Sequence, residues 1–361
     1  MILALIIFAI TYVLMLALQK YRPWIALGSA AIFIVLGIFK VYDFSIFTAL
    51  AAVDYNVLLM IGGTMGIVTL FIESKMPARL AEMLISRVPN VKWAVTVLAL
   101  FAGIISAFVD NVATVLMVAP VGLAISRKLK ISPVPVLIAI AVSSNLQGAA
   151  TMVGDTTSML LGGYAGMNFL DFFWMRGKPG IFWGVELGAI ASTIALLILF
   201  RKEKQTVSSK IETAVTDYFP SCLMLGTVAL LIVASFLPEP AGGFLMTLYN
   251  LRSGLVCLAL CVVGIVHSCL KNRSVSTVRR VWSELDKDTL LLLFGLSSSS
   301  SKALKPRALS MRRPICSSRL REIILSFFTR LLYLPQLFFR PLSIIFRMLP
   351  QCFRLYQALP H

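Results

Sequence analysis

The sequence predicts an all-α polytopic membrane protein, and three observations support this fold class. The 361 residues are 58% hydrophobic and only 14% charged, whereas about a quarter of the residues in a soluble domain are charged. The mean hydropathy is +0.89. Apolar stretches recur between short charged clusters, without the apolar–polar alternation of membrane-barrel strands. These observations exclude a soluble globular domain and a disordered chain.

The charge and motif content exclude two further classes of protein. The net charge is +17, but residues 297–361 contain 11 of the 33 Lys and Arg residues and one acid, so we expect no nucleic-acid partner. The six cysteines show no CxxC or metal-ligand spacing, and P-loop, HExxH and GxSxG motifs are absent from the sequence. The sequence therefore predicts neither a resident metal centre nor an enzyme.

The chain begins with three apolar spans and a short amphipathic segment. The spans are residues 2–18, 25–39 and 55–71. The first is too long and too poor in N-terminal charge for a cleaved signal peptide. Residues 76–84 then place apolar residues at helical spacing among charged ones, which favours a helix lying in the membrane interface.

Residues 93–125 form two apolar arms separated by Val109, Asp110 and Asn111. Basic residues flank both outer ends, and the positive-inside rule places such ends in the cytoplasm. Each arm is short for a full crossing, and an Asp–Asn pair in mid-bilayer is costly unless it faces protein or water. We predict a re-entrant hairpin that enters from the cytoplasm. Two full crossings joined by a tight outer turn are the alternative.

Residues 134–166 predict one span that is broken near its middle. Apolar residues give way to small and polar ones between Ser143 and Ser158, and an apolar stretch follows. Backbone carbonyl and amide groups freed by such a break can coordinate an ion or an oxyanion.

The remaining spans predict a chain of two related halves joined by a polar linker. The basic clusters place the N-terminus outside the cell. Residues 271–280 are expected to form a basic loop. The predicted units are an N-terminal transmembrane repeat (1–204, closing with a span at 179–200), a linker (205–217), and a partial C-terminal repeat (218–296, with spans at 218–237 and 255–270 and the start of another at 288–296).

The pattern changes abruptly at Ser297. Five serines stand where apolar residues are expected, and Arg330, Arg340, Arg347 and Arg354 then interrupt apolar stretches. A basic tail at the membrane surface is one interpretation. The other is a shifted reading frame, because a frame that begins one nucleotide earlier permits Ser-Ala-Phe-Ile-Asp-Asn-Ile within residues 339–355. That heptapeptide differs from residues 106–112, Ser-Ala-Phe-Val-Asp-Asn-Val, only by Ile for Val at two positions. We predict that residues 297–361 are an aberrant, out-of-frame tail.

Two motifs in the hairpin and the broken span resemble a known family. They are Asp-Asn-Val-Ala-Thr-Val-Leu-Met-Val-Ala-Pro-Val (110–121) and Ser-Asn-Leu-Gln-Gly-Ala-Ala-Thr-Met-Val-Gly-Asp (144–155). At this spacing they resemble the ion transporter superfamily. Within it they are similar to the branch of arsenite pumps, NhaD antiporters and P proteins, which shares the citrate-transporter-like domain. The resemblance covers about residues 1–296.

The resemblance implies an inverted-repeat, elevator-type secondary transporter, of which this chain retains one complete half. Such a protein would sit in the cell (inner or plasma) membrane as a homodimer. It would move a small anion or Na⁺ coupled to H⁺ or Na⁺, with no cofactor besides the coupling ion. The site residues that the resemblance implies are Asp110, Asn111 and Thr114 at the hairpin tip and Asn145, Gly148, Thr151, Gly154 and Asp155 at the break.

Departures from the family pattern leave the substrate open. Gln147-Gly148 stands where the family usually has Gly-Gly, and Thr156 and Ser158 stand where Pro and Asn are frequent. A Na⁺/H⁺ antiporter without an organic substrate is an alternative, as is a non-transporting membrane scaffold or degenerate gene product.

The residues alone support a role for the two acids. An aspartate held away from water near a cavity can exchange a proton, and its carboxylate can hold Na⁺ together with backbone carbonyls. This predicts Na⁺ or proton binding at Asp110 and Asp155. The structural alternative is that Asp110 and Asp155 cap the helices that follow them, and the two roles are compatible.

Overall fold

We analysed a computed structural model, which describes residues 2–39, 46–51, 53–128, 131–203, 205–206, 213–240, 242–273 and 276–300. The described residues are mostly helical. The first ten α-helices are α1 (Ile2–Ala17), α2 (Arg22–Ile38), α3 (Ile46–Ala51), α4 (Tyr55–Glu73), α5 (Met76–Ile85), α6 (Val91–Ser106), α7 (Asn111–Lys128), α8 (Pro133–Gln147), α9 (Thr156–Ala165) and α10 (Ile181–Leu199). The remaining five are α11 (Phe219–Ser235), α12 (Phe244–Asn250), α13 (Arg252–Asn272), α14 (Ser276–Glu284) and α15 (Lys287–Ser300).

The prediction of a helical membrane protein is confirmed, with one small β element added. Among the described residues, four helical segments are long and apolar enough to cross a bilayer: Gln19–Ile38, Tyr55–Glu73, Ile181–Leu199 and Arg252–Lys271. The β element is an antiparallel hairpin between α9 and α10, formed by β1 (Trp174–Met175) and β2 (Lys178–Pro179).

Side-chain caps fix the start of several helices. Asn90 Oδ1 accepts the Trp93 amide at 3.2 Å at the start of α6. Asp54 Oδ1 accepts the Val57 amide at 3.1 Å at the start of α4, and Asp286 Oδ1 accepts the Thr289 amide at 3.0 Å at the start of α15. Each bond satisfies an amide that the first helical turn would otherwise leave unpaired.

Helix α4 packs against α13, and α2 packs against α15. Both contacts depend on a glycine. A Cβ at Gly63 in α4 would lie 2.5 Å from the backbone carbon of Cys257, and a Cβ at Gly295 in α15 would lie 2.7 Å from that of Ala26. Small residues of this kind allow the backbones of membrane helices to approach closely.

The amphipathic segment at 76–84 is helical, and it forms α5. Its buried residues include Ala81 and Ile85, which belong to the apolar cluster formed with α6, α7 and α8. α5 therefore supports the two arms of the predicted hairpin from one side.

The expectation of a basic loop at 271–280 is wrong at both ends, because Lys271 and Asn272 belong to α13 and a further helix follows. Helix α14 begins at Ser276 and buries Thr277 and Val281. It packs against α4, and Arg280 Nη1 lies 2.6 Å from Glu73 Oε1. Two buried side chains four residues apart are sufficient to hold a short helix against a neighbour, and the basic residues between them concealed that spacing. Of the predicted aberrant tail, residues 301–361 lie outside the part of the chain that the structure describes.

Candidate functional site

The hairpin tip lies between the end of α6 at Ser106 and the start of α7 at Asn111. Asp110 Oδ2 accepts the amides of Val112 at 3.0 Å and Ala113 at 3.3 Å. The capping role considered for Asp110 is therefore confirmed. This cap holds the carboxylate at the positive end of α7, where a negative charge is stabilised.

The tip is bonded to the last turn of α8 and to the irregular segment between α8 and α9, residues 148–155. Asn111 Nδ2 donates to Asn145 Oδ1 at 2.9 Å, and Ser144 Oγ donates to the Asn111 carbonyl at 3.1 Å. The Thr151 hydroxyl donates to the Ala107 carbonyl. These bonds hold the tip against the last turn of α8 and the irregular segment.

Gly154 lies where three backbone carbonyl oxygens converge. A Cβ at this position would lie 2.5 Å from the oxygen of Gly148, 2.6 Å from that of Ser106 and 2.7 Å from that of Ala107. Only glycine allows the irregular segment to pass this close to the tip. The approach brings oxygen acceptors from both segments to one point.

Asp155 occupies the N-cap position of α9 but caps it differently from Asp110. Its carboxylate accepts the hydroxyls of Thr156 at 3.3 Å and Thr157 at 2.8 Å, and it makes no side-chain bond to the amides of α9. The prediction that the Asp155 side chain caps the amides of α9 is therefore wrong.

Three buried polar atoms near the tip have no hydrogen-bond partner within the part of the chain that the structure describes. They are Ser106 Oγ, Asn111 Oδ1 and Thr114 Oγ1. Ser106 and Thr114 are fully buried, and Asn111 is 1% exposed. An unpaired buried polar group costs about 1–3 kcal/mol, and such groups are rare in folded proteins.

A small cavity of about 10 Å³ lies beside the tip, which is room for about one water molecule. Asp110 and Asp155 both line it, together with Gly154 and Thr156. The opposite wall is the middle of α4, contributed by Ile61, Thr64, Met65 and Val68. No lysine or arginine lines this cavity among the residues described.

The cavity lies about halfway along α4. The C-terminal end of α9 packs on the N-terminal end of α4, since a Cβ at Gly163 would clash with Asp54 Oδ2 and lie 2.5 Å from Val57 Cγ2. The N-terminal end of α9 lies beside the middle of α4. A helix of 19 residues is about 28 Å long, so tip and cavity lie roughly half that distance from either end.

The sequence of residues 3–298 matches a family model described as citrate transporter. The chain belongs to the citrate transporter family. This confirms the resemblance that the two motifs indicate. It also supports a transporter rather than an enzyme, since the matched relatives include proteins named as transporters.

Several curated proteins resemble the chain over part of its length. An uncharacterized transporter of Mycobacterium tuberculosis is 31% identical over 172 residues, 47% of this chain and 40% of the relative. A 46 kDa membrane protein of Mycobacterium leprae is 28% identical over 243 residues, 66% of this chain and 56% of the relative. The mouse P protein is 29% identical over 153 residues, 42% of this chain and 18% of the relative. The chain thus spans about half or less of the length of these relatives.

Seven of the eight predicted site residues lie where the tip meets the end of α8 and the irregular segment, and the eighth, Thr114, lies buried in the first turn of α7. Asp110, Gly154 and Asp155 line the cavity, and Asn111, Asn145 and Thr151 take part in the hydrogen bonds of the junction. A Cβ at Gly148 would lie 3.3 Å from Ser106 Oγ. Sequence reasoning did not select Ser106 or Thr64, because a single small hydroxyl residue in an apolar run carries no distinctive signal.

Proposed function

We propose that the chain carries the N-terminal ion-binding half of a secondary transporter of the arsenite-pump, NhaD-antiporter and P-protein type. The full protein would move a small anion or Na⁺ coupled to H⁺ or Na⁺. The observation that carries the proposal is a cavity lined by two carboxylates, Asp110 and Asp155, beside the point at Gly154 where three backbone carbonyl oxygens converge. Carboxylate and carbonyl oxygens in such an arrangement can hold a cation.

The lining of the cavity favours a cation. Asp110 and Asp155 carry negative charge, and the oxygens of Ser106, Ala107 and Gly148 converge beside them at Gly154. Oxygen ligands suit Na⁺, whereas a multiply charged anion would require basic or amide donors to replace its water. This observation favours the Na⁺/H⁺ antiporter among the alternatives, or an anion that binds together with Na⁺.

The re-entrant form of the hairpin is part of the proposal. Two full crossings would place the tip near an end of α4, whereas Asp110 lies beside the middle of that helix. An Asp–Asn pair at this depth is tolerated when it faces protein and a polar cavity. The geometry therefore supports a hairpin that ends within the membrane.

An inverted repeat is supported by matching contacts in the two halves. If α13 and α15 repeat α2 and α4, the α2–α15 and α13–α4 contacts are images of one another. The local features match as well. Asp54 caps α4 nine residues before Gly63, and Asp286 caps α15 nine residues before Gly295. Both glycines press against the backbone of the opposing helix.

The proposal includes an inactive state for this chain. In a transporter built from inverted repeats, each half supplies part of the binding shell. The match to the family ends at residue 298, next to the abrupt change at Ser297. We infer that the second tip and the second break are encoded in another frame and that the chain alone does not transport. We also propose that the protein lies in the cell membrane as a homodimer, with its N-terminus outside the cell.

The test compares ²²Na⁺ flux in proteoliposomes for two proteins, this chain and a version with the reading frame restored after Leu296. The restored protein is expected to move Na⁺ against a pH gradient, and this chain is not. Ser106→Ala in the restored protein should weaken Na⁺ uptake, with Ser283→Ala on the exposed face of α14 as the control. A restored, folded protein without Na⁺-dependent or pH-dependent flux of any kind would favour the scaffold alternative.

Orientation is tested separately by labelling single cysteines from either side of the cell membrane. The basic clusters predict cytoplasmic access to residues 19–24, 73–92, 127–132 and 201–217. Labelling of a cysteine at Lys128 only from the outside would contradict both the orientation and the hairpin.

A further inference from the structure

The loop between α9 and α10 contains a rigid hairpin that the ion site does not use. Trp174 pairs with Pro179, and Met175 pairs with Lys178. The turn residues Arg176 and Gly177 both have positive φ, 50° and 76°. Two positive φ values are the geometry of a type I′ turn, whose twist matches that of the paired strands.

Aromatic packing fastens this hairpin to the start of α10. The ring centroids of Phe173 and Phe182 lie 4.5 Å apart, and the Trp174 and Trp183 rings meet edge to face at 6.4 Å. Trp183 Nε1 donates to the Phe173 carbonyl at 3.1 Å. The hairpin therefore has one defined orientation relative to α10.

The position of the hairpin is that of a membrane boundary. It directly precedes α10, an apolar helix of 19 residues long enough to cross a bilayer, and Arg201 and Lys202 follow the other end of that helix. Trp174 is 57% exposed and Trp183 is 48% exposed. Tryptophan rings at a membrane boundary lie between the lipid headgroups and the acyl chains.

The tip of the hairpin carries two exposed positive charges. Arg176 and Lys178 are exposed, and neither forms an ion pair with another residue in the described part of the chain. Asp171, the acid nearest in sequence, instead accepts the Asn168 amide at 2.8 Å. The loop thus combines two uncompensated cations with exposed indole rings.

We propose that this hairpin binds the phosphate groups of anionic phospholipids in the leaflet at the N-terminal end of α10. The Arg176 guanidinium can donate two parallel hydrogen bonds to one phosphate, and Lys178 supplies a second charge beside it. Trp174 and Trp183 rest at the boundary with the acyl chains. The two positive charges favour anionic over zwitterionic lipids. The position at the end of an apolar span favours a lipid over a soluble protein as the partner.

The test reconstitutes the full chain in phosphatidylcholine vesicles that contain brominated phosphatidylglycerol or, at the same fraction, brominated phosphatidylcholine. Bromine quenches nearby tryptophan, and the difference from Trp174→Phe isolates the signal of Trp174. Brominated phosphatidylglycerol is expected to quench Trp174 more strongly. The Arg176→Gln/Lys178→Gln variant should lose this preference by about fivefold per charge removed. It should remain quenched by brominated phosphatidylcholine.

The matched control is Arg201→Gln/Lys202→Gln at the opposite end of α10, which should keep the preference at Trp174. Circular dichroism of each variant establishes that the helices are intact. Equal quenching by the two lipids in the parent chain would overturn the proposal, as would a preference that survives removal of both hairpin charges. None of these outcomes depends on ion binding at Asp110.

Discussion

The side-chain amide of Asn111 donates to Asn145 Oδ1 at 2.9 Å, and this bond joins the hairpin tip to the last turn of α8. The residues are 34 positions apart in the chain. Because Asn111 is almost fully buried, water cannot readily replace the bond. The Ser144 hydroxyl bonds the Asn111 carbonyl from the same turn, so one residue of the tip is held through both its side chain and its backbone.

Removal of this bond is expected to loosen the tip. Asn145→Ala leaves the buried Asn111 amide unpaired and should lower the free energy of unfolding by about 1–3 kcal/mol. Thermal unfolding of Asn111→Ala, Asn145→Ala and the double variant forms a double-mutant cycle. Strictly additive effects of the two substitutions would show that the amides do not interact.

The two roles of Asp110, cap and charge, can be separated. Asn caps helices about as well as Asp, so Asp110→Asn should preserve stability, whereas Asp110→Ala should lose about 0.5–2 kcal/mol. Both variants remove the charge and should abolish Na⁺-dependent stabilisation of the protein with the restored reading frame. Na⁺ binding by Asp110→Asn equal to that of the parent would leave the cap as the only role of Asp110.

The helices that flank the site could be predicted from the sequence because charged residues mark where each apolar run begins and ends. Asp110 and Asp155 stand out because acids are rare in such runs. Contacts between distant segments could not be predicted. Glu73 meets Arg280 across 207 positions, and nothing near either residue indicates the other. The β-hairpin was missed because two-residue strands carry no periodic signal.

Gly154 is expected to tolerate no side chain. Gly154→Ala would press a methyl group against three carbonyl oxygens at 2.5–2.7 Å, so backbone must move, at a cost of about 1–3 kcal/mol or more. Gly184 in α10 has nothing within 4 Å of its added Cβ, and Gly184→Ala should stabilise the helix by about 1 kcal/mol. Thermal unfolding measures both. Equal effects of the two substitutions would mean that the close approach at Gly154 is absent.

The attachment of the linker to α13 is expected to weaken in acid. Burial acts to raise the pKa of Asp217, but the Phe219 amide, the Lys271 ammonium at 3.0 Å and His267 at 3.8 Å outweigh it, so the pKa lies below its ordinary value. A lowered carboxyl pKa stabilises the fold above the unfolded pKa of about 3.9. That stability is lost as the pH falls through the folded pKa.

Lys271→Met removes the main positive partner, so the loss of thermal stability between neutral pH and acid should become smaller than in the parent. Lys178→Met, an exposed lysine without an ion pair among the described residues, is the control and should leave the pH dependence unchanged. An identical acid response of Lys271→Met and the parent would contradict the assigned pKa shift.

The gene around the codon for Leu296 is expected to contain a single-base deletion. Gly295 in α15 follows the capping Asp286 by nine residues, as Gly63 in α4 follows Asp54, which supports the proposed second repeat up to this point. The family match ends three residues later, at residue 298.

Beyond residue 298, arginines interrupt apolar stretches, and each arginine would cost about 2.5–3.5 kcal/mol at the centre of a membrane helix. The frame that begins one nucleotide earlier instead permits Ser-Ala-Phe-Ile-Asp-Asn-Ile, which differs from the tip, Ser106 to Val112, only by Ile for Val at two positions. Sequencing of the gene should therefore show this second frame open across the codons for residues 297–361, with Asp-Asn encoded at Ser343 to Ile345. A stop codon in that frame, or another dipeptide at those positions, would refute the deletion and leave the Arg-rich tail as a segment with its own role at the membrane surface.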